Sequence, residues 1–210
     1  MILHDFLESG NGYKVRLLLH WLQQPFTLVE HDILKGATRT PEFLSSKNPN
    51  GRIPALELDD DPVSPGPVLW ESNAILNYLA EGTPYLPTDR LARARVLQWQ
   101  FFEQYSHEPY IAVARFMRHF QDMTPERTAL LETEKLPKGY VALNVMEKHL
   151  SQNDWFVGTG PTIADISLFA YTHVAPEGGF DLTRTPAILS WIARMEALPH
   201  HVAITSRATP

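Results

Sequence analysis

The 210-residue sequence contains no cysteine. This absence excludes disulfide bonds, thiolate metal ligands and a cysteine nucleophile. No apolar run approaches the roughly 18 residues of a membrane-spanning helix, and the first residues lack the basic and apolar regions of a signal peptide. Positive charge is also scarce, because the formal net charge is −6, which argues against non-specific nucleic-acid binding. We therefore expect a cytoplasmic protein with no membrane or nucleic-acid partner.

Several catalytic motifs are missing as well. The sequence has no glycine-rich phosphate loop and no nucleophile elbow. His107-Glu108 begins a zincin-like motif, but Ile111 stands where the second histidine is needed. We therefore predict no metal site.

The composition is that of a globular protein, with 44% hydrophobic and 20% charged residues. Residues 1–81 alternate strand and helix patterns in the order βαβαββα, with a polar loop at 59–67. Pro84 and Pro87 mark a linker at 82–88, and the pattern of 89–210 is helical almost throughout. One long helix is predicted over 89–120, with a bend near Pro109. The predicted class is α/β plus all-α, as two domains with a ligand cleft between them.

Ser9-Gly10-Asn11-Gly12 joins the first predicted strand to the first helix. A helix N-terminus presents free backbone N–H groups and a partial positive charge, which favour an anion such as a thiolate. The Ser9 hydroxyl can donate a hydrogen bond to that anion. Taken alone, the pattern favours the alternative that Ser9 or Asn11 only caps the helix, because capping is the usual role of serine and asparagine at this position.

Two further segments suggest ligand binding. A cis bond before Pro54 would turn the backbone of Ile53 outward, toward a peptide-like ligand, although base rates favour an ordinary trans proline. Ser72 at a helix start can hold a carboxylate, and Glu71 beside it can hold an ammonium group, although Ser72 also suits a plain cap. Sites for a thiolate, a peptide backbone and an α-amino acid together match one common metabolite, glutathione.

These segments give the sequence a resemblance to the cytosolic glutathione S-transferases over nearly its full length. The blocks that carry it are Ser9-Gly10-Asn11 with Lys14-Val15-Arg16-Leu17, Asn48-Pro49-Asn50-Gly51-Arg52-Ile53-Pro54-Ala55-Leu56, Leu69-Trp70-Glu71-Ser72-Asn73-Ala74-Ile75, Phe156-Val157-Gly158 and Thr162-Ile163-Ala164-Asp165. The resemblance implies a thioredoxin-like domain followed by a helical domain, a homodimer, glutathione as co-substrate and a cis bond before Pro54.

The resemblance also implies roles for single residues. Ser9 matches the hydroxyl that activates the glutathione thiol, and Asn11 is a second candidate for that role. The first-strand position of the Tyr-type members holds Asp5 and Phe6 instead, and the cysteine of the reductase types is absent, so both departures favour a Ser-type protein. The implied glutathione-binding residues are Lys35 and Arg52 near the glycyl carboxylate, Ile53 with Pro54 at the cysteinyl backbone, and Glu71 with Ser72 at the γ-glutamyl end.

The second substrate is expected between the two domains, against the long helix. Its candidate contacts are Phe102, Tyr105, His107, Tyr110, Arg115 and His119. Most aromatic residues on such helices belong to the core, and Arg115 suits either an acidic substrate or an ordinary surface position. Thr162 and Asp165 fit a capping box, which we interpret as structural.

The predicted function is a glutathione transferase of detoxification, whose thiolate attacks an electrophilic, apolar second substrate. A glutathione-dependent isomerase, dehalogenase or peroxidase is an alternative, because the fold does not set the substrate. A non-catalytic binding protein of the same architecture is another. The presence of Arg52, Pro54, Glu71 and Ser72 favours an enzyme.

Overall fold

The computed structural model describes residues 1–58 and 66–210, and the described chain divides into two compact units. Unit 1 comprises Met1–Glu81 together with Pro199–Pro210, and unit 2 comprises Gly82–Leu198. Most of the polar loop predicted at 59–67 lies outside the described residues.

Unit 1 is built on a four-stranded mixed sheet in the order β2-β1-β3-β4. The parallel pair β1–β2 and the antiparallel pairs β1–β3 and β3–β4 give this sheet a thioredoxin-like arrangement. The predicted βαβαββα order is therefore confirmed. The elements are β1 (Ile2–Asp5), α1 (Gly10–Trp21), β2 (Thr27–Glu30), 3₁₀ turns at Ile33–Lys35 and Ala37–Arg39, α2 (Pro41–Ser46), β3 (Ala55–Glu57), β4 (Val68–Trp70) and α3 (Ser72–Ala80).

The core of unit 1 lies between the sheet and two of its helices. Leu3 of β1 and Leu56 of β3 pack with Val15 and Leu19 of α1 and with Ile75 of α3. All residues of α1 except Asn11 are buried. A helix that is buried all round needs cover on its second side as well.

Residues 199–210 supply hydrogen-bond partners to α1. Tyr13 Oη donates to the carbonyl of Val202 at 2.6 Å, Arg16 Nη1 to that of Ser206 at 3.2 Å, and His20 Nε2 lies 2.9 Å from that of Ala208. Tyr13, Arg16 and His20 share one helical face, because they are spaced by three and four residues. We expected 199–210 in the helical domain because it follows that domain in sequence; the structure assigns it to unit 1, since these long-range contacts leave no local pattern.

Unit 2 contains helices joined by short turns. The helices are α4 (Arg90–Phe102), α5 (Glu108–Phe120), α6 (Pro125–Leu130), α7 (Leu136–Leu150), α8 (Ile163–Thr172) and α9 (Pro186–Glu196), with π segments at Glu103–His107 and Leu131–Lys135 and 3₁₀ turns at Ala175–Gly178 and Leu182–Arg184. In the part of the chain that the structure describes, no helix combines the length and apolarity needed to cross a membrane.

The helix predicted over 89–120 is divided into α4 and α5 by a π segment. Pro109 is the second residue of α5, directly after that segment. Pro137 has the same relation to the second π segment. A proline has no backbone N–H to donate to the carbonyl four residues earlier, and its ring crowds that carbonyl. The wider turn of a π segment accommodates both effects.

The capping box predicted at Thr162 and Asp165 is present at the start of α8. The Asp165 carboxylate accepts from Thr162 N at 2.9 Å, Thr162 Oγ1 at 3.1 Å, Phe156 N at 3.1 Å and Trp191 Nε1 at 3.1 Å. Burial raises the pKa of Asp165 to about 6, against the effect of these hydrogen bonds. All ten residues of α8 are buried, so the capped helix forms the centre of unit 2.

Candidate functional site

The turn between β1 and α1 places Ser9 at the first predicted site. Ser9 is the N-cap of α1, with an extended backbone at φ −73° and ψ 125°. Its Oγ accepts a 3.4 Å hydrogen bond from the Gly12 N–H, and the side chain is half-buried. A hydroxyl that accepts from the backbone can still donate its own hydrogen. The capping role and the ligand-binding role are therefore compatible.

Asn11 and Ser72 lie in hydrogen-bond contact although 61 residues separate them in sequence. Ser72 Oγ donates to Asn11 Oδ1 at 3.1 Å, and Lys14 Nζ donates to the same oxygen at 2.8 Å. Lys14 Nζ also lies 3.5 Å from Ser72 Oγ. This network joins the N-termini of α1 and α3, the two helix starts predicted to hold anionic groups.

The buried Asp5 side chain, at the end of β1, stabilises the β1–α1 turn. Its carboxylate is fully buried and receives the Arg16 Nε–H at 2.9 Å and the Phe6 N–H at 2.7 Å. Gly12 lies directly against it, because a Cβ atom at position 12 would stand only 1.5 Å from Asp5 Oδ1. Asp5 therefore has a structural role at the strand position where Tyr-type proteins carry their tyrosine.

The bond between Ile53 and Pro54 is cis, as the family resemblance implies. Within the described residues, the half-buried Ile53 backbone takes part in no hydrogen bond. The Asn48 side chain holds the neighbouring carbonyl of Arg52 at 2.9 Å, and the Arg52 side chain is exposed. The segment thus presents a donor and an acceptor that an extended ligand could pair with.

Glu71 adopts an unusual backbone conformation immediately before α3. It combines φ 71° with ψ 111°, and its side chain is exposed. A residue with a Cβ atom in this left-handed region costs about 1–3 kcal/mol, and such outliers cluster at ligand sites. Ser72, the first residue of α3, is only 5% exposed. The backbone thus orients two adjacent side chains differently, one outward and one inward.

Lys35 is not part of this network in the structure. Its side chain is 85% exposed and pairs with Asp32 at 3.0 Å across one 3₁₀ turn. The structure brings Asn11, a candidate for thiol activation, into direct contact with Ser72, a predicted glutathione-binding residue. Ser9, the other candidate for thiol activation, belongs to the same helix start as Asn11.

The predicted second-substrate residues have different environments in unit 2. Tyr105 is 86% exposed. His107 is fully buried, with Nε2 2.9 Å from Thr172 Oγ1. Arg115 is 3% exposed and its Nε lies 2.6 Å from Glu177 Oε2. The side chains of His107 and Arg115 are therefore engaged in packing and pairing within unit 2. Of the other candidates, Phe102 and Tyr110 are half-buried and His119 is exposed.

Sequence reasoning missed a second polar cluster, which lies on β1 and β3 and on the residues that directly follow β2 and α2. His4 Nδ1 lies 2.9 Å from His31 Nε2, and His4 Nε2 lies 3.2 Å from Glu57 Oε2, which also pairs with Lys47. Burial lowers the pKa of both histidines, and the Lys47 hydrogen bond lowers the pKa of Glu57. Among the described residues, no group of three or more potential metal ligands is arranged around a common point.

Sequence reasoning also assigned no role to Lys14. The sequence analysis used Lys14 only as one position of a motif that carries the family resemblance, yet its side chain is fully buried and contacts Asn11. The signal was present, because Asn11 and Lys14 are three residues apart and so share one face of α1.

Comparison with known families agrees with this geometry. The family model described as "Glutathione S-transferase, N-terminal domain" matches residues 1–81, and the model described as "Glutathione S-transferase, C-terminal domain" matches residues 99–199. The chain belongs to the glutathione S-transferase family. Unit 1 therefore carries the family's N-terminal domain, although its model does not include 199–210.

Solved structures and curated relatives are similar to this chain over nearly its full length. A glutathione S-transferase from Pseudomonas fluorescens Pf-5 is 51% identical, with a TM-score of 0.92 and 98% of each chain covered. A glutathione transferase family member from the same organism, solved with two glutathione molecules bound, is 28% identical, with a TM-score of 0.82 and coverage of 95% of this chain and 89% of that one. The disulfide-bond oxidoreductase YfcG of Escherichia coli K12 is 31% identical over 203 residues, which cover 92% of this chain and 89% of YfcG.

Proposed function

We propose that this protein is a glutathione transferase. Unit 1 binds glutathione, lowers the pKa of its thiol and directs the thiolate at an electrophilic carbon of an apolar second substrate. The observation that carries the proposal is the Asn11–Ser72 contact, because it joins the thiol-binding helix start to the helix start that holds the γ-glutamyl end. The resemblance to cytosolic members of the family supports a cytoplasmic location.

The chemistry depends on the fraction of glutathione present as thiolate. A free thiol has a pKa near about 8.5, so only a few per cent is ionised at pH 7. Hydrogen bonds from Ser9 or Asn11, with the first N–H groups of α1, act as fixed dipoles that favour the anion. The thiol proton leaves to solvent, the sulfur forms a bond to carbon, and the substrate's leaving group departs with its electron pair.

The rest of the site holds the tripeptide. The N-terminus of α3 and Ser72 bind the γ-glutamyl carboxylate, while Glu71 binds the ammonium group. The Ile53 backbone pairs with the cysteinyl residue beside Pro54. Arg52 and Lys35 supply positive charge for the glycyl carboxylate.

Thiol–disulfide exchange is a second candidate activity. The 31% identity with the disulfide-bond oxidoreductase YfcG favours it, and so does the relative that was solved with two glutathione molecules bound, because the exchange uses two thiols. Since this chain has no cysteine, both thiols must come from glutathione. The first thiolate attacks the disulfide and releases one thiol; the second attacks the mixed disulfide, releases the other thiol and forms oxidised glutathione. Turnover of an aryl halide against that of a disulfide, each with glutathione, distinguishes the two activities.

We also propose that the protein forms a homodimer. Leu97, Phe101 and Tyr105 lie four residues apart on one face of α4 and the following π segment, and they are 42%, 69% and 86% exposed. A contiguous apolar stripe of this kind marks an interaction surface. It gives Tyr105 a second interpretation besides contact with a substrate.

Calorimetric titration tests glutathione binding. We expect saturable binding at one site per chain for both glutathione and S-methyl glutathione. Only glutathione loses a thiol proton, so only its observed enthalpy depends on the ionisation enthalpy of the buffer. Ser72→Ala should weaken both ligands about tenfold, because it removes a hydrogen bond to a charged group, whereas Ser151→Ala, at an exposed position of unit 2, should change neither. Absence of saturable binding at millimolar glutathione contradicts the proposal.

A further inference from the structure

A cavity of about 260 Å³ lies within unit 2, and none of its lining residues belongs to the proposed glutathione site. It is bounded by α4, by the end of α7 and by the segment 153–158. Its wall includes Arg95, Gln98 and Trp99 of α4, His149 of α7, and Trp155 and Phe156 of that segment. Pockets for drug-sized ligands begin at about 300 Å³, so this cavity suits a smaller molecule of one or two rings.

The segment 153–158 is held in place by the helices around it. Each of the four residues 153–156 makes a hydrogen bond to a helix: Asn153 Nδ2 donates to the His149 carbonyl at 2.9 Å, Arg194 Nη2 donates to the Asp154 carbonyl at 2.9 Å, His149 Nε2 lies 3.1 Å from the Trp155 carbonyl, and Phe156 N donates to Asp165 Oδ1 at 3.1 Å. These partners belong to α7, α9 and α8. A ligand therefore meets a wall that is already ordered, and binding loses little free energy to the ordering of a loop.

Four aromatic rings line the cavity, and three of them pack on one another. The Trp99 ring centroid lies 4.6 Å from that of Phe156 and 5.0 Å from that of His149. The His149 and Phe156 rings are stacked, with their centroids 5.4 Å apart. Trp99 and Trp155 are half-buried, so part of each side chain stays accessible. Accessible rings of fixed geometry favour a planar aromatic ligand, which binds by offset or edge-to-face stacking.

The polar groups of the lining residues favour a ligand with negative charge. Among the described residues that line the cavity, Arg95 is the only arginine, lysine, aspartate or glutamate. Arg95 is exposed, and its guanidinium makes no hydrogen bond or ion pair within the described chain; the indole N–H groups of Trp99 and Trp155 make no hydrogen bond there either. These three groups are donors without acceptor capacity. Their common partner is an anion, and a carboxylate matches the fork of a guanidinium.

We propose that this cavity is a binding site for a small planar aromatic carboxylate, which packs its ring against Trp99 and Trp155 and pairs its carboxylate with Arg95. The site is independent of the proposed function, because its lining residues all belong to unit 2. It also lies on a different face of α4 from the apolar stripe of the proposed dimer. Arg95 and Trp99 are four residues apart and share one face, whereas Leu97 is two residues from each and faces the other way.

Equilibrium dialysis with naphthalene-2-carboxylate tests the site. The full chain is kept at saturating S-benzyl glutathione, so that the benzyl group fills the proposed electrophile site and excludes the probe from it. We expect saturable binding at one site per chain. Naphthalene-2-carboxamide has the same rings without the charge and should bind at least about threefold more weakly, the effect of losing an exposed ion pair. Cyclohexanecarboxylate has the charge without an aromatic ring and should also bind more weakly than the naphthalene carboxylate.

Two variants locate the bound probe. Arg95→Gln should weaken naphthalene-2-carboxylate about threefold or more and leave the carboxamide unchanged, because the carboxamide has no charge to pair. Trp99→Leu should weaken both probes about fivefold, because it removes a stacking surface. The control Arg90→Gln removes an exposed arginine at the start of α4 and should change the affinity of neither probe.

Arg95→Gln provides the decisive measurement if Trp99→Leu does not fold by circular dichroism, because Arg95 is exposed. A wild type that shows no saturable binding of naphthalene-2-carboxylate at millimolar concentration overturns the inference. Wild-type affinity in folded Arg95→Gln or folded Trp99→Leu overturns it as well, since the probe then binds elsewhere. Either result leaves the proposed function standing wherever the wild type binds glutathione. A wild type that does not bind S-benzyl glutathione refutes the proposed function instead, and the two variants still decide where the probe binds.

Discussion

At the residue scale, the Asp165 carboxylate accepts hydrogen bonds from three different parts of the chain. It accepts from two backbone N–H groups, the Thr162 hydroxyl and the Trp191 indole, all in the buried centre of unit 2. Asp165→Ala leaves these donors without their acceptor, so we expect the free energy of unfolding to fall by about 2–4 kcal/mol. Urea denaturation measures the loss. Glutathione affinity of the folded variant should stay at the wild-type level.

Asp154→Ala is the matched control, because the Asp154 side chain is 80% exposed and its loss should change stability little. The effect of Asp165 also depends on pH. Its folded-state pKa of about 6 lies above the ordinary value of 3.8, so the folded protein retains a proton that the unfolded chain releases in this window. The stabilisation from Asp165 therefore decreases as pH rises from about 4 to about 6. An Asp165→Ala variant that is as stable as the wild type but inactive contradicts the structural role.

The role of Ser9 as a helix cap could be predicted from the sequence, whereas the contacts of Asn11 could not. Ser9 at a helix start was predictable, because serine before a helical pattern is the usual cap. The contact between Asn11 and Ser72 was not, since it joins two helix starts through the tertiary fold. The full burial of Lys14 was equally hidden, because lysine is a surface residue by default.

At the element scale, the segment 199–210 stabilises α1 along the helical face of Tyr13, Arg16 and His20. It accepts hydrogen bonds from Tyr13 and Arg16 and adds the buried Ile204 side chain. Deletion of 202–210 should lower the free energy of unfolding by at least about 2 kcal/mol, given about 1 kcal/mol for each hydrogen bond and more for the apolar side chain. Deletion of only Thr209 and Pro210, both exposed, is the control. Equal denaturant midpoints for the two truncations contradict this role.

The helices of unit 2 show which features of a helix the local sequence predicts and which it does not. Pro109 predicted a bend in the helical pattern, and the structure has a π segment just before Pro109 and another just before Pro137. The kind of interruption could not be predicted, because a missing N–H is compatible with a kink, a break or a wider turn. The choice among these depends on packing against neighbouring helices, which the local sequence does not state.

At the scale of the whole molecule, the order of elements and the family membership followed from motifs, whereas the place of residues 199–210 beside α1 did not. The Asn48–Leu56 and Leu69–Ile75 blocks carry the family resemblance, and they contain the cis bond at Pro54 and the positive φ of Glu71. The assignment of 199–210 and the environments of His107 and Arg115 depend on contacts between distant residues. Such contacts are invisible to a reading based on periodicity and short motifs.

The apolar stripe of Leu97, Phe101 and Tyr105 leads to a prediction about assembly. Phe101→Glu places a charge on the most central of the three exposed side chains and should convert the proposed dimer to a monomer in sedimentation velocity at micromolar concentration. Gln152→Glu adds the same charge at an exposed position in the turn after α7 and should leave the dimer intact. A wild type that sediments as a monomer contradicts the proposed homodimer.

The central claim is that unit 1 binds glutathione and makes its thiol a nucleophile at neutral pH. The most direct measurement is the thiol pKa of glutathione bound to the wild-type protein, followed by thiolate absorbance against pH, with S-methyl glutathione as the blank. The account predicts a pKa below about 7, compared with about 8.5 for a free thiol. A bound thiol that titrates at the free value contradicts thiol activation and favours a protein that binds glutathione without catalysis.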